Sequence, residues 1–164
     1  MRLDGFEFII FPFIKITNVK GNEISQAYKK FREFVNKRID EKLFTTQKVI
    51  DTIIEYSGGS PREALRIIHY AWQHLPYDVE KITQEALEKG LNKLAEDTTL
   101  YLTIDELKKL RKVKELNEED KPVPYDETIQ EMVEKLIIME YNEGNLKKVN
   151  PIITLSKIYK TYVG

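Results

Sequence analysis

One stretch of the chain concentrates residues whose types and spacing could do chemistry: Tyr56-Ser57-Gly58-Gly59-Ser60-Pro61-Arg62-Glu63-Ala64-Leu65-Arg66. Two glycines can end one helix, and Ser60 followed by Pro61 can start another at once, as N-cap and first helical residue. Glu63, three residues after Ser60, is expected to complete a capping box. The new helix then presents N–H groups without intrahelical partners and the positive end of its dipole. Arg62 falls in the first turn and Arg66 one turn later, with His69 and Gln73 continuing the stripe. A guanidinium beside a helix N-terminus opposes the dipole, which suggests an anion between them. A plainer reading stands beside this one. Gly-Gly turns are common, and arginines on a helix surface usually face water.

The elements that must position this turn follow from periodicity. Phe6 to Ile16 is almost wholly apolar and reads as a strand buried on both faces, broken at Pro12, with no following strand to pair with. Ile24, Ala27, Tyr28, Phe31, Phe34 and Val35 mark the buried face of a first helix. A second, from about Thr46 to Tyr56, turns Val49, Ile50, Ile53 and Ile54 inward and stops at Gly58-Gly59. The helix opened by Ser60 is expected to bury Ala64, Leu65, Ile68, Ala71, Trp72 and Leu75 and to end before Pro76. A fourth, from about Thr83 to Asp97, buries Ala86, Leu87, Leu91, Leu94 and Ala95.

Thr103 and Glu106 form a capping box that opens a helix with Leu107, Leu110 and Val113 inward. Asn117 to Tyr125, charged and carrying Pro122 and Pro124, reads as a loop. Asp126 caps a further helix that buries Ile129, Met132, Val133 and Leu136. Ile137 to Tyr141 and Leu146 to Val149 read as a hairpin whose turn uses Gly144. The expected fold class is mainly α: a helical bundle, then two helices with a small β-hairpin, and an orphan N-terminal strand. The boundary falls near Thr98.

Composition narrows the function. The 164 residues carry 26 Lys and Arg against 27 Asp and Glu, a formal net charge of −1. That length can bury one ordinary core or two small ones without covalent staples. The absence of cysteine excludes disulfides, thiolate zinc sites, iron–sulfur clusters and cysteine nucleophiles together. No apolar run approaches the ~18 residues of a membrane span, and the Met1-Arg2-Leu3-Asp4 start lacks the layout of a secretory signal. A cytoplasmic protein with no membrane partner is the expectation. His69 and His74, five positions apart, share no helix face and have no acid to complete a metal set. Ser57 lies in no Gly-x-Ser-x-Gly elbow, so neither catalytic residues nor metal ligands are assigned. Tyr56, Tyr70, Trp72 and Tyr77 read as core and core rim, not as a stacking platform.

The Gly59-Ser60-Pro61-Arg62 turn resembles the sensor 2 region of AAA+ ATPases, where such a turn opens the third helix of the small helical lid domain. The order of elements around it is similar as well. The resemblance implies that residues 1–17 are the last core strand and linker, 18–98 the lid, and 99–164 a winged-helix domain. In that winged helix, Leu136 to Pro151 would be the wing with its closing Asn-Pro. It further implies that Arg62 senses nucleotide, with Gly59, Pro61 and Arg66 completing the cofactor-contacting turn. Nothing in the chain resembles the Gly-x-x-x-x-Gly-Lys-Ser/Thr phosphate loop, and no strand ends in paired magnesium-binding acids. The chain is therefore expected to be the C-terminal part of an ATPase and not an enzyme by itself. ATP and magnesium would bind only with the ATPase core, and the partners would be that core or neighbouring subunits.

A winged helix invites a DNA-binding reading, which fold alone does not license. The helix after Asp126 would enter the major groove, and its outward residues include Glu127, Glu131 and Glu134, the wrong sign for phosphate. Lys108, Arg111 and Lys112 on the preceding helix, with Lys147 and Lys148 on the wing, are the candidates for nucleic-acid backbone contact. Yet residues 99–164 hold 11 basic and 12 acidic residues, so neither half is a basic module. The plainest reading of these residues is a solvated charged face, and the partner expected at the winged helix is a protein, with DNA disfavoured. The alternatives are a freestanding winged-helix DNA-binding regulator with a helical dimerisation domain, and a helical adaptor without any nucleotide link.

Overall fold

The computed structural model describes residues 13–16, 25–141 and 146–164. The chain is mainly helical with one small antiparallel sheet. Its helices are α1 (Ser25–Arg38), α2 (Gln47–Tyr56), α3 (Pro61–Gln73), α4 (Gln84–Thr99), α5 (Ile104–Glu118), α6 (Glu127–Glu134) and α7 (Lys157–Tyr162). Strands β1 (Ile138–Tyr141) and β2 (Leu146–Val149) pair in the register Ile138↔Val149 to Tyr141↔Leu146. A 3-10 turn, Pro151–Leu155, follows the sheet.

Caps set most of the boundaries, as the sequence predicts. The Thr83 hydroxyl accepts from the Ala86 amide to open α4, and Asp126 does the same for Ile129 in α6. The Thr103 capping box is complete, because the Glu106 carboxylate reaches back to the Thr103 amide at 2.8 Å. Helix α7 was not expected. Ser156 caps it through the Tyr159 amide, and a helix of six residues leaves too short a pattern for periodicity to detect.

Two hydrophobic clusters organise the molecule. The first gathers Phe31, Val35, Val49, Ile53, Ile67, Leu87 and Leu94 from α1 to α4, with Ile16. The second gathers Leu107, Leu110, Val113, Ile129, Met132 and Ile138 from α5, α6 and β1, with Tyr159 of α7. The Pro151–Leu155 turn joins them, since Ile152 packs in the first cluster and its neighbour Ile153 in the second.

The structure corrects the reading of α3. Its buried residues are Glu63, Ala64, Ile67 and Ala71, whereas Leu65 and Trp72 are 50% and 48% exposed. Gly90 of α4 accounts for this. A Cβ there would lie 2.5 Å from the Ala71 backbone nitrogen, so α3 and α4 meet backbone to backbone. That contact fixes α3 with Ala71 inward and swings Leu65 and Trp72 out. Tyr77 also lies at the surface and not at a core rim. In α6, Val133 and the following Leu136 are only partly buried.

The expected N-terminal strand falls largely outside the described residues, as do Ile24 and the Gly144 turn. Among the described residues, Phe13–Ile16 form no strand, but the Ile14 amide donates to the Gly59 carbonyl at 3.1 Å.

Candidate functional site

The Gly58–Gly59 turn is buried. Ser57 and Ser60 are fully buried on either side of it. Both glycines have positive φ, +58° and +81°, a region that side chains with a Cβ rarely adopt. Both are also crowded. A Cβ on Gly59 would sit 1.7 Å from the Ile14 carbonyl oxygen, and one on Gly58 would sit 2.5 Å from Met139 Sδ of β1. The turn is thus held between the N-terminal segment and the hairpin.

Helix α3 leaves this turn with Ser60 Oγ accepting from the Glu63 amide. The reciprocal half of the expected box is absent, because the Ser60 amide donates to the Ser57 carbonyl instead. The Glu63 carboxylate is turned elsewhere. It is fully buried, takes Arg66 Nη1 at 2.9 Å on one oxygen, and lies 3.4 Å from Asn150 Nδ2 on the other. A buried carboxylate needs such partners, since losing them would cost several kcal/mol.

Asn150 is a junction. Its Nδ2 also donates to the Leu136 carbonyl at 2.8 Å, and its Oδ1 accepts from the Ile152 amide at 3.0 Å. Leu136 itself has φ +59°, a left-handed turn between α6 and β1. The side chain of Asn150 therefore ties together α3, the end of α6 and the Pro151–Leu155 turn. Beside it, the buried Tyr141 hydroxyl donates to the Gly58 carbonyl at 2.6 Å. Burial raises the Tyr141 pKa far above that of an exposed phenol, so the hydroxyl stays a donor.

The four residues of the expected nucleotide turn occupy different environments. Gly59 is buried, Pro61 is half-buried and Arg62 is exposed on the first turn of α3. Arg66 is half-buried; besides Glu63, its Nη2 lies 3.5 Å from Thr98 Oγ1. It lines a cavity of about 360 Å³ with Tyr101, Leu102, Glu106 and Lys135. Glu106 and Lys135 pair across this cavity at 3.4 Å. The anion that answers the Arg66 charge is thus supplied by the chain itself, and Arg62 is the guanidinium left facing outward.

The basic residues of the second cluster are mostly engaged. Lys108 pairs with Asp105 at 3.2 Å, and Arg111 Nη2 donates to the Tyr162 carbonyl. Lys112 is exposed. Lys147 pairs with Glu140 across the sheet at 3.0 Å. Burial, with a smaller contribution from Lys15, holds the Lys148 pKa below the usual ammonium value. On α6, Glu127, Glu131 and Glu134 are all exposed.

Among the described residues, no helix is long and apolar enough to cross a membrane, and no group of three or more His, Asp or Glu could hold a metal ion. No protein-family model matches the chain, and neither a curated protein nor a solved structure matches it.

Sequence reasoning located the turn and placed Arg62 in the first turn of α3, but did not foresee the long-range contacts of Tyr141 and Asn150. The Asn150-Pro151 pair signals a cap in the sequence, yet nothing local reveals that its amide reaches Glu63, 87 positions earlier.

Proposed function

We propose that this chain is the nucleotide-sensing C-terminal part of an AAA+ ATPase, a helical lid followed by a winged helix. The observation that carries the reading is Arg62. It projects to solvent from the first turn of α3 while the backbone beneath it is clamped by Ile14, Met139 and Tyr141. A guanidinium on a rigid base can make a geometrically selective contact with the terminal phosphates of a bound nucleotide, and lose it when they leave. Of the two arginines of α3, Arg62 would make that contact, because Arg66 is held by Glu63.

The order of elements supports the same reading: a bundle of four helices, two further helices, then a hairpin. The chain by itself would not hydrolyse ATP, since phosphoryl transfer depends on phosphate and metal positioning that its sequence does not provide. The winged helix would meet a protein. The exposed glutamates of α6 and the pairing of Lys108, Arg111 and Lys147 speak against a freestanding DNA-binding regulator.

Arg62→Ala in the intact ATPase is expected to lower nucleotide-dependent turnover by about tenfold or more, as for loss of a charge-assisted phosphate contact. Unchanged turnover overturns the proposal, as does release of phosphate from ATP by residues 1–164 alone.

A further inference from the structure

The outward face of α3 is chemically one-sided. Its surface residues are Arg62, Leu65, Arg66, His69, Trp72 and Gln73, while its single carboxylate, Glu63, is fully buried. Leu65, His69 and Trp72 stand at i, i+4 and i+7, one stripe along the helix. Leu65 and Trp72 cannot rotate inward, because the close contact of Gly90 with Ala71 fixes the phase of the helix. In a chain of net charge −1, this helix shows solvent two large apolar side chains, the guanidiniums of Arg62 and, in part, Arg66, and no anion.

We infer that this face docks an acidic amphipathic helix of another protein. Leu65 and Trp72 take its apolar residues, and Arg62 faces a flanking carboxylate. Charge complementarity selects the occupant: a carboxylate beside the apolar stripe meets the Arg62 guanidinium and no exposed acid of α3, and a basic helix is repelled. Anchors at i, i+4 and i+7 match those of a second helix laid along the first. Tryptophan and arginine are also the residue types on which binding energy concentrates. Nucleic acid fits less well, since the Arg66 guanidinium is already held by Glu63 and Leu65 gains nothing from phosphate. The docking shares Arg62 with the nucleotide reading but is anchored on Leu65 and Trp72, which that reading leaves unused.

Trp72 is the only tryptophan of the chain, so its emission reports on this face alone. The probe is a synthetic peptide of about four helical turns with leucine anchors and glutamate flanks, titrated at near-physiological salt. A saturable blue shift of Trp72 emission is expected, weakened about tenfold by Leu65→Ser, the scale of losing one apolar anchor. Circular dichroism and the melting temperature of that variant should stay unchanged, because Leu65 lies at the surface. Several outcomes overturn the inference: no shift at millimolar peptide, an equal response to a peptide with lysine for glutamate, or undiminished affinity in Leu65→Ser. A tighter response to an oligonucleotide under the same conditions also overturns it and gives the face to nucleic acid. Failure of the Arg62→Ala turnover test leaves all of these outcomes untouched, so the two proposals fail separately.

Discussion

The hydroxyl of Tyr141, on β1, donates a 2.6 Å hydrogen bond to the carbonyl of Gly58, 83 positions earlier in the chain. The donor is buried and the acceptor belongs to the turn that launches α3. The hairpin therefore braces the base from which Arg62 projects, and the two hydrophobic clusters share a polar joint as well as the Pro151–Leu155 turn.

Tyr141→Phe removes this donor and leaves the Gly58 carbonyl without it in a buried setting. The expected cost is about 1–3 kcal/mol. Urea unfolding at neutral pH measures it as a lowered midpoint with an unchanged slope. An unaltered midpoint would show that the contact contributes nothing.

The two glycines should differ in their tolerance of a methyl group. Gly59→Ala sets a Cβ 1.7 Å from the Ile14 carbonyl oxygen, which is backbone and can yield only by moving the segment away. At Gly58 the obstruction is the flexible Met139 side chain. Both substitutions carry the strain of a positive φ, about 1 kcal/mol or more. Melting temperatures should therefore rank wild type above Gly58→Ala and Gly58→Ala above Gly59→Ala.

Glu63→Ala deprives Arg66 and Asn150 of a shared acceptor within a buried network. A loss of about 2–4 kcal/mol is expected, at the lower end because Arg66 is half exposed and can turn to water. Glu63→Gln keeps one acceptor oxygen and should cost less. Chemical denaturation of both variants checks the order, and equal losses would contradict it.

Acid should reveal the Thr103 capping box. The Thr103 amide, then the Thr103 hydroxyl and Lys135, hold the Glu106 carboxyl below its ordinary pKa against the opposing effect of burial. A lowered folded pKa means that the unfolded chain binds the proton more readily. The stabilisation is thus complete above the unfolded pKa, about 4.3 for Glu, and fades as pH falls through the folded value. Asp97 and Asp126 are lowered too, by hydrogen bonds from Lys93 and Lys109 respectively, and add to the overall acid sensitivity. Glu106→Gln should therefore flatten, without abolishing, the fall in stability between about pH 5 and pH 3. Identical slopes in wild type and variant would remove Glu106 from the account.

The boundaries of α2, α3, α4 and α5 are legible in the sequence because their causes are local. Thr83, Thr103 and Asp126 act on amides three residues ahead, and Ser60 with Pro61 announces α3 by the same short-range chemistry. The pairing of β1 with β2 follows from an apolar run, a second short run bounded by Leu146 and Val149, and the turn residues between them. The same short reach explains the failures. Leu65 and Trp72 satisfy an apolar helical spacing as well as Ile67 does, and only the backbone contact at Gly90, in another helix, decides which of them is buried.

For the turn at Gly58–Gly59, the sequence by itself determined that one helix ends, another begins, and an arginine stands in its first turn. Only the tertiary structure decided that Glu63 abandons its capping role for Arg66 and Asn150, leaving Arg62 as the outward guanidinium. Capping energies are about 1 kcal/mol, whereas an unpartnered buried charge costs several. Once packing had buried Glu63 the larger penalty prevailed, and its remedy lay partly in Arg66, one turn on, and partly in Asn150, 87 positions away.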